Sequence, residues 1–259
     1  MKDSSDRLIF GTVGFGLGLI AALVIAAILA PSVFEASTPG NLSLSQAATP
    51  LPQNTYTATI TIVAVQQQNN EGVTNTATVE LQPGKGRVLV ALNPFIEPDT
   101  QESAEIAAGV AARLTGKDLT NFDLIYSIDS PATLVGGPSA GAALTVATMA
   151  AIEQKTVRSD TAITGTVQRD GTIGPIGGVL EKAQAVSQSG KKLFLIPKGQ
   201  GRLVYYESRT TVEQRGPIII QRRQFVAKEL DLIEYAQNEL NLEVREVNTI
   251  AEAAQILLA

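Results

Sequence analysis

The sequence predicts an α+β fold of short mixed sheets and packed helices, preceded by one membrane-spanning helix. Three observations lead there. Runs rich in β-branched residues, such as Tyr56-Thr-Ala-Thr-Ile-Thr-Ile-Val-Ala-Val65, alternate in hydropathy as strands do. Segments rich in Ala and Leu, such as Ser139 to Glu153, read as helices. The two kinds intermix without a strict strand–helix–strand repeat, which argues against a doubly wound parallel sheet.

In chain order, the N-terminal segment comes first. Leu8 to Phe34 holds no charged residue, and its most apolar part, Leu8 to Ala30, is 23 residues long. At about 1.5 Å per residue this spans a hydrocarbon core of about 30 Å. A cleaved signal peptide is the alternative. Its apolar region normally runs about 7–15 residues and ends in an Ala-x-Ala-like site. The longer run, with Pro31 directly after Ala30, favours an uncleaved anchor. Lys2 and Arg7 precede the span and Glu35 follows it. The positive-inside rule therefore puts residues 1–7 in the cytoplasm and the bulk of the chain outside the cell membrane. Asn41-Leu-Ser43 is a glycosylation sequon that fits an outside location. Gly14 and Gly18 form a small-xxx-small pair, open to reading as a helix contact or as ordinary membrane-helix glycine. Residues 31–54, rich in Ser, Thr, Pro, Asn and Gln, read as a flexible linker.

Residues 55–259 read as the folded domain, enough chain for a proper core. Strands are expected at Tyr56–Val65, Val73–Leu81 and Arg87–Leu92, with Pro83-Gly-Lys-Gly86 as a turn. Asp99 or Thr100 can cap a helix running to Leu114 and ended by Gly116. A strand at Asp123–Asp129 precedes the helix at Ser139–Glu153. Thr161–Val167 and Thr172–Ile176 should form a hairpin around Asp170-Gly171. Then come a helix at Val179–Ser189, closed by Gly190, and a buried strand at Leu193–Ile196. Residues 200–226 look like an extended hairpin or inserted lobe, and helices at Ala227–Leu240 and Ile250–Leu258 end the chain.

Composition excludes much chemistry. The 259 residues contain no His and no Cys. A Ser-His-Asp triad, a Cys nucleophile and imidazole or thiolate metal sites are therefore impossible. Proton transfer near neutral pH must use a carboxylate, a Tyr or a Lys with a shifted pKa. The net charge is −5 with no basic run, which argues against a nucleic-acid partner. Gly-Lys-Ser/Thr, the end of a nucleotide-binding loop, occurs nowhere. No cofactor is expected, and no acidic pair has calcium-loop spacing. Glu102 with Glu105, and Glu229 with Asp231, read as solvated faces.

Two segments remain as candidates. In Val135-Gly-Gly-Pro-Ser139-Ala-Gly-Ala-Ala143, Pro138 suits a first helical position, so Ser139 falls in the first turn. Free amides and the helix dipole there would stabilise an oxyanion. The small residues Gly137, Ala140 and Gly141 let a substrate backbone approach. Taken alone, the segment favours a plainer account: small residues pack the helix and Ser139 caps it. Lys182 shares a stripe with Val179, Ala183 and Val186, so it faces the core. Burial would lower its pKa and make it a base near neutral pH. A lysine snorkelling at the stripe's edge is the plainer account. Ser189-Gly-Lys-Lys192 fits a Ser-x-x-Lys pattern, but Ser189 closes a helix where that chemistry needs it to open one.

Gly137-Pro-Ser139-Ala-Gly141, Thr164-Gly165, Gly171, Pro175-Ile-Gly-Gly178 and Glu181-Lys182 together resemble the proteolytic domain of Lon proteases. The 43 positions separating Ser139 from Lys182 fit that family. The resemblance covers about 55 to 259 and is strongest from 136 to 197. It implies a Ser-Lys dyad, with Ser139 as nucleophile, Lys182 as base and Thr164 orienting the amine. Gly137 and Pro138 would support the turn. The expected function is an ATP-independent serine endopeptidase acting on flexible or unfolded proteins. It would be anchored as in similar archaeal Lon-like proteins, with homo-oligomerisation open. A non-catalytic binding module, or a cytoplasm-facing protease using a separate unfoldase, are the alternatives. Family members often carry an acid three residues before the serine. Here that position is Gly136, which puts a supporting carboxylate in doubt.

Overall fold

The computed structural model describes residues 54–66, 69–91, 95–130, 134–215 and 218–259. The expected anchor at 8–30, the linker up to residue 53, the Asn41 sequon and the Gly14–Gly18 pair lie outside the described residues. Among the described residues no helix is long and apolar enough to cross a membrane.

The fold is α+β, as expected. β1 (Tyr56–Val65) and β2 (Gly72–Pro83) pair antiparallel, with Ile60 opposite Ala77. β3 (Val88–Val90) and β4 (Phe95–Ile96) lead to α1 (Pro98–Thr115), followed by β5 (Phe122–Asp129) and β6 (Leu134–Val135). A 3-10 turn at Pro138–Ala140 runs into α2 (Gly141–Glu153). Then come β7 (Thr161–Ile163), β8 (Thr166–Val167), β9 (Ile173–Gly174), α3 (Val179–Gln188) and β10 (Leu193–Pro197). β11 (Arg202–Arg215), β12 (Ile218–Asp231), α4 (Leu232–Glu239), β13 (Glu243–Val247) and α5 (Ile250–Leu257) complete the chain.

One sheet has the order β1-β2-β5-β3, with β3 parallel to β5. A second, all parallel, has the order β13-β10-β7. β4 with β6, β8 with β9, and β11 with β12 form small two-stranded sheets. β1 links the two cores because both of its faces are covered near its end. Ile60 and Ile62 face the larger cluster with Val79, Leu124 and Leu144, while Val63 joins Ala183, Val186, Phe194 and Ile196. α2 is buried along its length from Gly141 to Ala151. Its small side chains allow close approach on every side, and Thr148 bonds both its own turn and Tyr126 Oη at 2.8 Å.

Several expected elements differ. The segment 161–167 is not one strand. It breaks at Thr164-Gly165, so β7 pairs with β10 while only β8 reaches β9 across the Asp170-Gly171 turn. The last long helix does not begin at Ala227. Residues 227–231 belong to β12 and pair with 202–206, and Asp231 then caps α4 by accepting from Ile233 and Glu234 N–H. Strand β13 went unforeseen because Glu243-Val-Arg-Glu-Val247 carries three charges; its Val244 and Val247 are nevertheless buried beside β10. The difficult stretch 200–226 lies in the β11–β12 arm, two strands of 14 residues each.

A buried carboxylate ties the glycine-rich turn to the first sheet. Asp123 accepts from Lys85 N–H at 2.8 Å and Arg87 N–H at 3.0 Å, and pairs with the Arg87 guanidinium. Those contacts hold its carboxyl well below the usual range, the Arg87 hydrogen bond being the largest cause. The native pKa is depressed, so the stabilisation is complete above the unfolded carboxylate value of about 4 and is lost as pH falls below it. Asp123→Asn is expected to lower the thermal midpoint at pH 7. In melts from pH 7 to pH 2 the variant should lose less stability than the wild type.

Candidate active site

The site forms where three segments converge on one cleft of about 590 Å³. Gly136, Gly137, Pro138 and Ser139 come from the loop before α2. Thr166 comes from β8, and Gly177, Gly178, Glu181 and Lys182 from the start of α3. Ala64 and Val65 close one side from the end of β1.

The serine segment folds as its residues require. Gly137 takes φ 94°, a left-handed conformation that a side chain would oppose, and Pro138 follows at the first position of the 3-10 turn. Ser139 is thus in a 3-10 turn and not yet in the α-helix, half-buried and bordering the cleft. Its carbonyl accepts from Gly165 N–H at 2.9 Å and from Thr164 Oγ1 at 3.2 Å. The break between β7 and β8 is what frees Thr164 and Gly165 for this role.

Lys182 lies on the buried stripe of α3 with Val179, Ala183, Ala185 and Val186. It is 3% exposed, which rules out snorkelling. Its Nζ donates to Thr164 Oγ1 at 3.4 Å, at the long end for a hydrogen bond. Among the described residues no carboxylate pairs with it, and no hydrogen bond joins it to Ser139 Oγ. Burial alone pushes its amine down to about 8. Thr164 is fully buried and joins the two halves, accepting from the Lys182 amine and donating to the Ser139 carbonyl.

The sequence-derived residues Ser139, Lys182, Gly137 and Pro138 line the cleft, and Thr164 lies directly behind it. Ser189 closes α3 away from the cleft, its hydroxyl bonded to Val186 O at 2.7 Å. Sequence reasoning missed the start of α1. The helix begins at Pro98, with Glu97 at its N-cap. Asp99 does not cap it as expected but accepts from Gly137 N–H at 3.2 Å, while Thr100 Oγ1 donates to Gly137 O at 3.2 Å. Both side chains clamp the loop that leads to Ser139. No local signal announces such a contact, because it joins positions 37 and 38 residues apart.

The sequence profile of the Lon protease (S16) C-terminal proteolytic domain matches residues 57–205. The chain belongs to the Lon protease family. That family is one of serine-type peptidases, and the matched stretch holds every cleft residue named above. The chain is 32% identical over 138 residues to a Lon protease of Phenylobacterium zucineum, covering 51% of this chain and 17% of that protein. It is 31% identical over 143 residues to Lon protease 1 of Myxococcus xanthus, covering 54% and 17%. An archaeal Lon protease of Archaeoglobus fulgidus is 29% identical over 121 residues, covering 47% and 19%. The chain thus matches less than a fifth of each of these relatives. Bacterial relatives stand beside the archaeal one, so an archaeal source is supported only in part. The match ends within β11, so most of the β11–β12 arm, α4, β13 and α5 lie beyond it, where the resemblance was expected to continue.

An amine at about 8 when folded and 10.5 when free has a defined effect on stability. Between those values the unfolded chain binds more protons, so stability rises with pH across that window. Below pH 8 the full penalty applies, up to about 3 kcal/mol. Lys182→Met should therefore raise stability at pH 7 by up to about 3 kcal/mol in urea titrations. The gain should shrink toward pH 10.

Proposed function

We propose that the chain is a serine endopeptidase in which Ser139 is the nucleophile and Lys182 its general base. The observation that carries this reading is the buried Lys182 amine, partnered by a hydroxyl and, among the described residues, by no anion, on one cleft with Ser139. An amine held near 8 has a usable neutral fraction at working pH and can accept a proton.

Lys182 Nζ takes the Ser139 Oγ proton as the oxygen attacks the peptide carbonyl carbon. The C=O π pair moves to oxygen, giving a tetrahedral oxyanion beside the first turn before α2, where backbone amides point outward. Collapse breaks the C–N bond, and the Lys182 ammonium protonates the leaving amine. The acyl ester on Ser139 is then attacked by water, with Lys182 again accepting a proton, and the acid product leaves as Ser139 regains its own. Thr164, accepting from Nζ, holds the amine in orientation throughout. Apo geometry without a direct Ser139–Lys182 bond fits this reading, because such bonds often tighten only with substrate.

Residues 8–30 would anchor the protein, 31–54 would act as a linker, and 55–259 would form the proteolytic domain outside the cytoplasm. Within this reading residues 1–259 themselves bind no ATP, as they hold no Gly-Lys-Ser/Thr triplet, and hydrolysis proceeds without it. Substrates would then be flexible or already unfolded proteins. Gly136 is the one feature favouring a non-catalytic binding module.

Ser139→Ala and Lys182→Ala are each expected to abolish peptide hydrolysis and labelling by a fluorophosphonate, which requires an activated hydroxyl. Near wild-type turnover in either variant would sink the dyad. The pH profile of kcat/KM should rise with pH to a midpoint near 8, since only the neutral amine is a base. Protease added outside intact cells should digest residues 55–259; protection would place the domain inside.

A further inference from the structure

Glu97 stands at the N-cap of α1, a position from which a side chain normally accepts from the first helical amides. It makes no such bond. Its carboxylate instead lies against the Cα of Gly136, and a β-carbon added there would fall inside that carboxylate. Gly136 lines the cleft together with Ser139 and Lys182, so Glu97 backs the cleft wall three residues before the serine. Two residues along, Asp99 is also turned away from capping and holds Gly137 N–H. Both acids at the start of α1 are thus committed to the loop that carries Ser139.

A side chain at 136 would meet the end of the Glu97 side chain and turn it aside, so with glycine there the Glu97 carboxylate takes that volume. We propose that Glu97 is a positioning residue of the catalytic site. Its carboxylate occupies the space beside Gly136 and places a negative charge behind the Ser139 loop. The inference rests on the Ser139–Lys182 reading. The charge matters because Lys182 becomes an ammonium in the transition state, inside a region where no described carboxylate pairs with it. An anion behind the wall would favour that developing charge. Glu181 also lines the cleft, so the effect of Glu97 adds to an existing negative field and should be moderate.

The test uses the purified full chain and the rate of fluorophosphonate labelling, with kcat and KM for a peptide measured in parallel. Glu97→Gln keeps shape and removes charge; Glu97→Ala removes both; Glu97→Ala with Gly136→Asp moves the carboxylate to the other side of the same volume. Both single variants should lose about tenfold in labelling rate and in kcat, with KM little changed. The relocated carboxylate should recover the rate to within about threefold of wild type. Wild-type labelling by a folded Glu97→Gln variant overturns the proposal, as it leaves only packing. A folded double variant no faster than Glu97→Ala overturns it equally, and if the double variant does not fold, Glu97→Gln alone decides. Ser139→Ala and Lys182→Ala serve as controls: labelling that survives them refutes the dyad itself, whatever Glu97 does.

Discussion

The arrangement around the cleft follows from one constraint, the burial of a lysine amine with no anionic partner among the described residues. An ammonium in that setting is penalised by lost hydration, and the protein tolerates the penalty because the rest of α3 packs well. Val179, Ala183 and Val186 bind the helix to the second core, and Lys182 is carried inward on the same face. Those contacts keep the face of α3 that bears Lys182 turned toward Phe194 and Ile196. It is held where its charged form is disfavoured, which is the physical condition for a base.

Around that fixed point the remaining parts are placed by backbone bonds more than by side chains. Gly165 N–H holds the Ser139 carbonyl, and Ala142 N–H in turn bonds Gly165 O at 3.0 Å. The interrupted strand between β7 and β8 is therefore a bracket for the start of α2. Thr164, held by its own N–H to Leu195 O at 3.1 Å, carries the link from that bracket to Lys182. The start of α1 closes the other side through Asp99, Thr100 and Glu97. Helix, sheet and loop thus share a few short contacts, so the serine and the lysine are positioned by separate elements that meet only once the two cores have formed.

The β11–β12 arm has a different character. Val204, Val212 and Phe225 are exposed on it, and their register puts all three on one face. The family match stops as the arm begins. The site does not draw on it, because every cleft residue precedes Arg202.

Much of this was legible along the chain because it is encoded locally. Alternation in Tyr56–Val65, the Ala-rich run of α2, the Gly137-Pro138 entry to Ser139 and the apolar stripe around Lys182 each depend on near neighbours. The absence of His and Cys narrowed the chemistry without any structure. Boundaries were lost where tertiary pairing overrode local pattern: residues 227–231 joined a strand because Arg202 to Tyr206 offered a ladder, and β13 formed beside β10 despite its charges. The sequence alone thus determined most of the elements, the excluded chemistries and the two candidate residues. Only the tertiary structure decided that Lys182 is buried against a hydroxyl and that α1 reaches the serine loop. It alone showed that a carboxylate from 39 residues away lies beside Gly136, and no local pattern records a contact across such a distance.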